Sequence, residues 1–333
     1  MMKQPLNRLL NRKLMHILWG MQKLLERRCP FSIFLHPTLV ATLTIMSILS
    51  FQLNAASLPQ VSSVTVKTRA PQNELVTVWY RIPKNYHPRQ GQMSRVLVLF
   101  GGRNSSGKDM ASGRLGWGKW ADDNNAFLVS PGFKDDNYWE PEKWSGRALL
   151  NALEQIRKRY NICTDKLLFY GYSAGSQCSN LFPAWRPQLT RAWVSHACGV
   201  FHEPTARMRF VAGLVTCGDA DHAHYVISRN YVENCRKKGI NIIWRSFPNH
   251  PHDVPPDSLR LAREFLTYYH KACSADLTGR NSRRNDIPVY PYIGDDQEGV
   301  FYRADSPKAK NILPEDRVLL PALSIALAWG EAE

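Results

Sequence analysis

Five consecutive residues, Gly171-Tyr172-Ser173-Ala174-Gly175, spell G-x-S-x-G. By chance alone the pattern turns up in about one chain in ten of this length. A serine hydroxyl is a weak nucleophile unless a base removes its proton and a carboxylate orients that base. The flanking glycines permit a sharp turn with a strained serine at its apex. An apolar run, "LLFY", precedes the pattern and a helix is predicted from about Ala174. A serine there would sit at a helix N-terminus, where developing negative charge is favoured.

The partners are sought downstream, because the order Ser…Asp…His suits a strand-turn-helix nucleophile. In "VTCGDADHAH", Asp219 and Asp221 follow a buried run. Asp221 is preferred as the orienting acid and Asp219 is the alternative. In "SFPNHPHDVP", His252 lies in the loop directly before the last long helix and is the expected base, with His250 second. His222 and His224 are spaced to join an aspartate as metal ligands, but no third cluster supports them, so no metal is expected. His196 and His202 read as structural or cleft-lining. An oxyanion needs backbone N–H donors. One is expected from Ala174; the other comes from Gly101-Gly102-Arg103, with Arg103 preferred and Gly102 second. No G-x-x-x-x-G-K-S/T spacing points to a phosphate loop.

The set "FGGRN", "GYSAG", "CGDAD" and "NHPHDVP" resembles the α/β-hydrolase superfamily, most closely its secreted polyhydroxybutyrate-depolymerase and feruloyl-esterase types. The resemblance covers about residues 65–272. It implies carboxylester hydrolysis through an acyl-enzyme, with Ser173, Asp221 and His252 as the triad and no cofactor. Relatives often carry His-Gly in the oxyanion loop, where this chain has Gly101-Gly102. Members with a lid often insert it where this chain has only "CGVFHEPTARM", so no large lid is expected and the site should be open. Trp117, Trp120, Tyr138, Trp139, Trp144 and Phe201 fall in or beside predicted loops. Of these, Tyr138, Trp139, Trp117 and Phe201 are the expected lining of a substrate cleft.

The elements that must hold these residues follow from periodicity. "VSSVTVKTR" and "ELVTVWYRI" alternate as half-buried strands do, "RVLVLFGG" is the continuous apolar run of a central strand, "KLLFYG" reads as the next buried strand, and "NAFLVSP", "RAWVSHA", "RFVAGLVTCG" and "INIIWRSF" read as further strands. Helices are predicted from a Ser145 cap to about Tyr160, over "HYVISRNYVENCRKKG" ending at Gly239, and over "PDSLRLAREFLTYYHKAC". Alternation of strands with helices predicts a mainly parallel sheet with helices on both faces. Three regions are expected: a leader over 1–55, a catalytic domain over 56–273, and a C-terminal extension over 274–333 packed on that domain.

The chain has 333 residues and a formal charge of +15. Part of that charge lies ahead of "FSIFLHPTLVATLTIMSILSF", a basic-then-apolar sequence followed by small residues at Ala55 and Ala56. This pattern reads as a secretory signal peptide, with an uncleaved membrane anchor as the alternative. Membrane contact is expected only in the second case. The densest basic stretch, "GRNSRRN", is short and reads as a solvated loop, so a nucleic-acid partner is not expected. Of seven cysteines, Cys29 falls in the leader. The other six (Cys163, Cys178, Cys198, Cys217, Cys235 and Cys273) form an even number in an exported chain and are expected to pair as disulfides. One joining Cys178 would brace the elbow. Together these readings describe an exported serine carboxylesterase. Its expected substrates are plant-polysaccharide or polyester esters, possession of a polymeric partner being consistent with an open cleft. The alternatives are a prolyl-oligopeptidase-type peptidase and a non-catalytic binding protein on the same fold. Oligomeric state is not determined by sequence.

Overall fold

The computed structural model describes residues 61–68, 73–87, 93–133, 136–277 and 290–333. The leader, 1–55, lies outside the described residues. Among the described residues, no helix is long and apolar enough to cross a membrane.

The elements run β1 (Val61–Lys67), β2 (Leu75–Arg81), β3 (Val96–Phe100), α1 (Gly107–Ala111), α2 (Trp117–Asp123), β4 (Phe127–Pro131) and α3 (Ser145–Arg157). Then come β5 (Leu167–Tyr172), α4 (Ala174–Trp185), β6 (Thr190–His196), β7 (Ala212–Gly218), α5 (His222–Lys237), β8 (Ile242–Phe247) and α6 (Pro256–Leu277). An eight-stranded sheet has the order β1-β2-β4-β3-β5-β6-β7-β8. β2 pairs antiparallel with β1 and with β4, and every other neighbour is parallel.

The central strands are buried on both faces because helices cover both. Successive side chains of a strand point to opposite faces. Val96, Val98 and Phe100 of β3 therefore join one apolar cluster with Leu149, Leu153 and Ile156 of α3. Leu97 and Leu99 join a second cluster with Leu261, Ala262, Phe265 and Leu266 of α6. These continuous apolar runs are what the sequence shows for the inner strands, and the alternating runs became the edge pair β1–β2.

The last residues build a second sheet. β9 (Tyr292–Asp295), β10 (Val300–Arg303), β11 (Arg317–Leu320) and β12 (Glu331–Ala332) have the order β11-β9-β10-β12. Two short helices accompany them, α7 (Pro307–Asn311) and α8 (Leu323–Trp329). Trp329 is buried, and its Nε1–H donates to the Trp244 carbonyl of β8 at 2.6 Å. Its ring also lies under the Arg245 guanidinium at 4.9 Å. Arg229 of α5 pairs with Asp296, whose side chain is 3% exposed. Apolar burial and these polar ties fasten 290–333 to the edge of the main sheet.

Two local expectations change. Ser145 does not cap α3: Trp144 is the cap residue, and Ser145 Oγ–H donates to the Tyr138 carbonyl at 2.6 Å. Five of the six cysteines (Cys163, Cys178, Cys198, Cys217 and Cys235) are buried free thiols rather than disulfide partners. The side chain of Cys273 lies outside the described residues. Burial pushes the Cys198, Cys217 and Cys235 thiols up to about 12, which keeps them protonated. The Cys198 S–H donates to the Val200 carbonyl at 3.1 Å. Cys178, beneath the elbow, points its S–H at the Tyr138 carbonyl at 3.6 Å. These cysteines fill the core as small apolar side chains.

Candidate active site

Ser173 stands between β5 and α4, at φ 52° and ψ −130°. A non-glycine residue there is strained, and such strain persists only where the surroundings enforce it. Here they do. The Ser173 N–H donates to the His196 carbonyl at 2.9 Å, and the Ser173 carbonyl accepts the Ser176 N–H, also at 2.9 Å. Gly175 makes the turn possible: a Cβ there would lie 2.2 Å from the Gly101 carbonyl oxygen. The elbow and the loop after β3 therefore meet backbone to backbone.

Two loops bring the partners. Asp221 follows β7 as the cap residue of α5, and its carboxylate is spent on histidines rather than on the helix N–H groups. His252 lies between β8 and α6. Its Nε2 is 2.7 Å from Ser173 Oγ, and its Nδ1 is 2.5 Å from Asp221 Oδ2. Burial pushes the Asp221 carboxyl up, but hydrogen bonds and the positive potential of His252 and His224 outweigh it and hold the group below its ordinary value. In the tautomer that donates Nδ1–H to Asp221, the His252 ring presents the Nε2 lone pair to the serine.

The other sequence candidates make different contacts. Asp219 Oδ1 accepts the Asn249 N–H at 2.6 Å, which shapes the turn ahead of His252. His250 faces Asp253 at 3.2 Å. His222 is exposed at the start of α5. His196 is a strut: its Nε2–H donates to the Asp253 carbonyl at 2.7 Å, and its Nδ1 accepts from Thr216 Oγ1 at 2.8 Å. Burial lowers its pKa to about 4, so it is neutral at ordinary pH. His196 thus ties the elbow to the loop that carries His252.

Sequence offers His224 as a partner for an aspartate, and the structure shows that the aspartate is Asp221. Its Nδ1 lies 2.8 Å from Asp221 Oδ1, and its ring stacks on His252 with centroids 4.4 Å apart. The signal available in sequence was the i, i+3 spacing from Asp221 at a helix start.

The loop after β3 folds over the elbow. The Ser105 N–H closes a turn to the Gly102 carbonyl at 3.0 Å, and Ser105 Oγ is hydrogen-bonded to the Tyr172 hydroxyl at 3.1 Å. Gly102 lies against the serine: a Cβ there would fall 2.8 Å from Tyr172 Cε2 and 3.4 Å from Ser173 Cβ. Gly102 and Arg103 line a cavity of about 420 Å³ with Ser173, Arg114, His196 and His252. The same loop borders a larger groove of about 1240 Å³ walled by Trp79, Phe100, Phe133, Tyr138 and Trp144. Ala174 is buried at the first position of α4.

Of the four expected cleft residues, Tyr138 lines the larger groove. Trp139 supports the elbow instead, its Nε1–H donating to the Ala174 carbonyl at 3.2 Å. Trp117 is not in the cleft: it is fully buried on α2 against Tyr170, with centroids 4.6 Å apart. Phe201 stacks on the buried Tyr231 at 4.1 Å and lines neither cavity beside the serine. Trp117 was drawn into the core and half-buried Phe201 packs against the core, because large apolar surfaces gain most from burial.

No protein-family model matches the chain, and no curated protein matches it by sequence. Solved structures do match in shape. A substrate-bound fluorophosphonate-binding serine hydrolase of Staphylococcus aureus superimposes with a TM-score of 0.51 at 9% identity, over 64% of this chain and 98% of that one. An S-formylglutathione hydrolase, also of Staphylococcus aureus, gives 0.50 at 11% identity, over 64% and 97%. A ferulic acid esterase from Anaeromyces mucronatus gives 0.49 at 15% identity, over 63% and 90%. Sheet order, the antiparallel β2 and the first two of these likenesses agree: this chain has the α/β-hydrolase fold.

Proposed function

We propose that this chain is an exported serine carboxylesterase. One observation carries the reading: a strained serine at a strand-to-helix turn lies 2.7 Å from an imidazole that is itself 2.5 Å from a buried carboxylate. Ser173 Oγ attacks the ester carbonyl as His252 Nε2 takes its proton. Asp221 holds the imidazole in the required tautomer and stabilises the imidazolium. The N–H groups of Ala174 and Arg103 receive the oxyanion, supported by the close approach of Gly102 to Ser173 and of Gly175 to Gly101. The imidazolium then protonates the departing alcohol. Water, activated by the same ring, attacks the acyl-enzyme and restores Ser173.

No lid domain covers the elbow among the described residues, and an aromatic-walled groove adjoins the catalytic cavity. Both features support bulky esters on plant polysaccharide or polyester chains as substrates. Export rests on the basic-then-apolar leader. The test is a panel of short nitrophenyl esters, acetylated and feruloylated sugars, hydroxybutyrate oligomers and peptide amides, run with wild type and Ser173→Ala. The expected result is ester turnover and fluorophosphonate labelling that both vanish in Ser173→Ala. Ester turnover equal in the two proteins overturns the mechanism, and amide turnover exceeding ester turnover overturns the substrate class.

A further inference from the structure

We propose that Asp221, His224 and His252 form a binding site for a divalent transition cation of the zinc type, and that its occupation switches hydrolysis off. The effect on activity rests on the esterase reading; the binding itself does not.

Three ligand-bearing side chains converge here. One carboxylate oxygen of Asp221 and one ring nitrogen from each histidine all lie within 4.8 Å of one another. The two rings face each other at 4.4 Å with 32° between their planes, so that both Nδ1 atoms address the same carboxylate. Asp221 and His224 are held by one helix start, and His252 arrives from the opposite loop. Asp221 is buried, whereas His224 and His252 are about one-third and two-fifths exposed, which leaves an approach for an ion. Two imidazoles and a carboxylate suit zinc, copper, nickel or cobalt rather than magnesium or calcium. Bonds of about 2.0–2.2 Å to each ligand would draw the three side chains inward onto one ion.

Binding exchanges two N–H···O bonds for metal bonds, and its proton balance closes within each ring. A neutral imidazole that donates Nδ1–H to Asp221 must offer the Nδ1 lone pair to a metal, so its single proton moves to Nε2. On His224 that proton emerges on the half-exposed side near Gly199. On His252 it points at Ser173 Oγ, and the ring can no longer accept the serine's proton. The cation thus inhibits by imposing the wrong tautomer, with the substrate cavity left open. Nearby thiols do not compete: Cys198 and Cys217 are fully buried, and burial keeps both protonated.

The experiment titrates Co²⁺ into folded Ser173→Ala protein, which requires no activity. The expected result is one ion per chain with visible d–d bands and no thiolate charge-transfer band. His224→Phe and His252→Phe, each placed in the Ser173→Ala background, should weaken binding by at least about tenfold. In the Ser173 protein, Zn²⁺ should inhibit ester hydrolysis, a chelator should restore it, and His224→Phe should need at least about tenfold more Zn²⁺ for the same inhibition. A missing cobalt spectrum, a thiolate band, or equal binding by all three proteins overturns the proposal. Should the Ser173 protein lack esterase activity, the cobalt titration still decides the metal site, so the two readings fail separately.

Discussion

Acid should loosen the link between the elbow and the His252 loop, and His196→Gln tests it. His196 is 1% exposed and its pKa is lowered to about 4 from 6.5, chiefly by burial. Its hydrogen bond to the Asp253 carbonyl opposes that shift without cancelling it. Between these two values the unfolded chain holds a proton that the folded chain does not. Stability therefore rises with pH across this window: the contribution is complete above pH 6.5 and is lost as pH falls towards 4. One site shifted this far costs the folded state about 2 kcal/mol between pH 7 and pH 5, and about 3 kcal/mol by pH 4. Glutamine keeps a donor for the Asp253 carbonyl but does not titrate. Urea unfolding at pH 7 and pH 5 gives the measurement. Wild type should lose about 2 kcal/mol more than His196→Gln over that interval. His270, whose pKa burial also lowers to about 4, is present in both proteins and cancels in the comparison. An identical loss in the two proteins would refute the reasoning.

Three further outcomes follow. Asp221→Asn should cost on the order of 10⁴ in kcat, while Asp219→Asn, which alters only the turn at Asn249, should retain most activity; equal losses in ester assays would reverse the two roles. Gly175→Ala drives a Cβ to 2.2 Å from the Gly101 carbonyl and should cost about 1–3 kcal/mol in unfolding free energy together with most of kcat. Reductant should leave Tm unchanged, since the five buried cysteines are free thiols; loss of a disulfide would instead remove about 2–5 kcal/mol.

The elbow's geometry also explains how the chain tolerates a strained serine. Ser173 is held from the β6 side by His196, from α4 by Ser176, and beneath by the contact of Gly175 with the loop after β3. None of these contacts depends on a cross-link, so the absent bond at Cys178 leaves the turn fully supported. The same residues that hold the serine also bring the elbow against the loop after β3. Strain at this site is thus paired with a dense set of neighbouring backbone bonds, as expected where structure over-determines an unfavourable conformation.

Sequence by itself determined what local periodicity and residue type determine. Continuous apolar runs marked the buried strands β3 and β5, alternating runs marked the half-buried strands β1 and β2, and Gly171-Tyr172-Ser173-Ala174-Gly175 marked a turn that only small neighbours permit. It also named Asp221 and His252, and tertiary structure decided that they meet. Ser173 and His252 are 79 positions apart, Asp221 and His252 are 31 apart, and the parallel alignment of β5, β7 and β8 brings the loops at their C-terminal ends together. Only that alignment set Asp219 on a turn and gave His224 its place on Asp221. It also took Trp117 into the core, set half-buried Phe201 against that core, and left the five described cysteines as thiols. An aromatic ring or a thiol reads the same in sequence whether it lines a cleft or fills an interior. Which it does depends on long-range packing, and burial of the larger apolar surface decided it here.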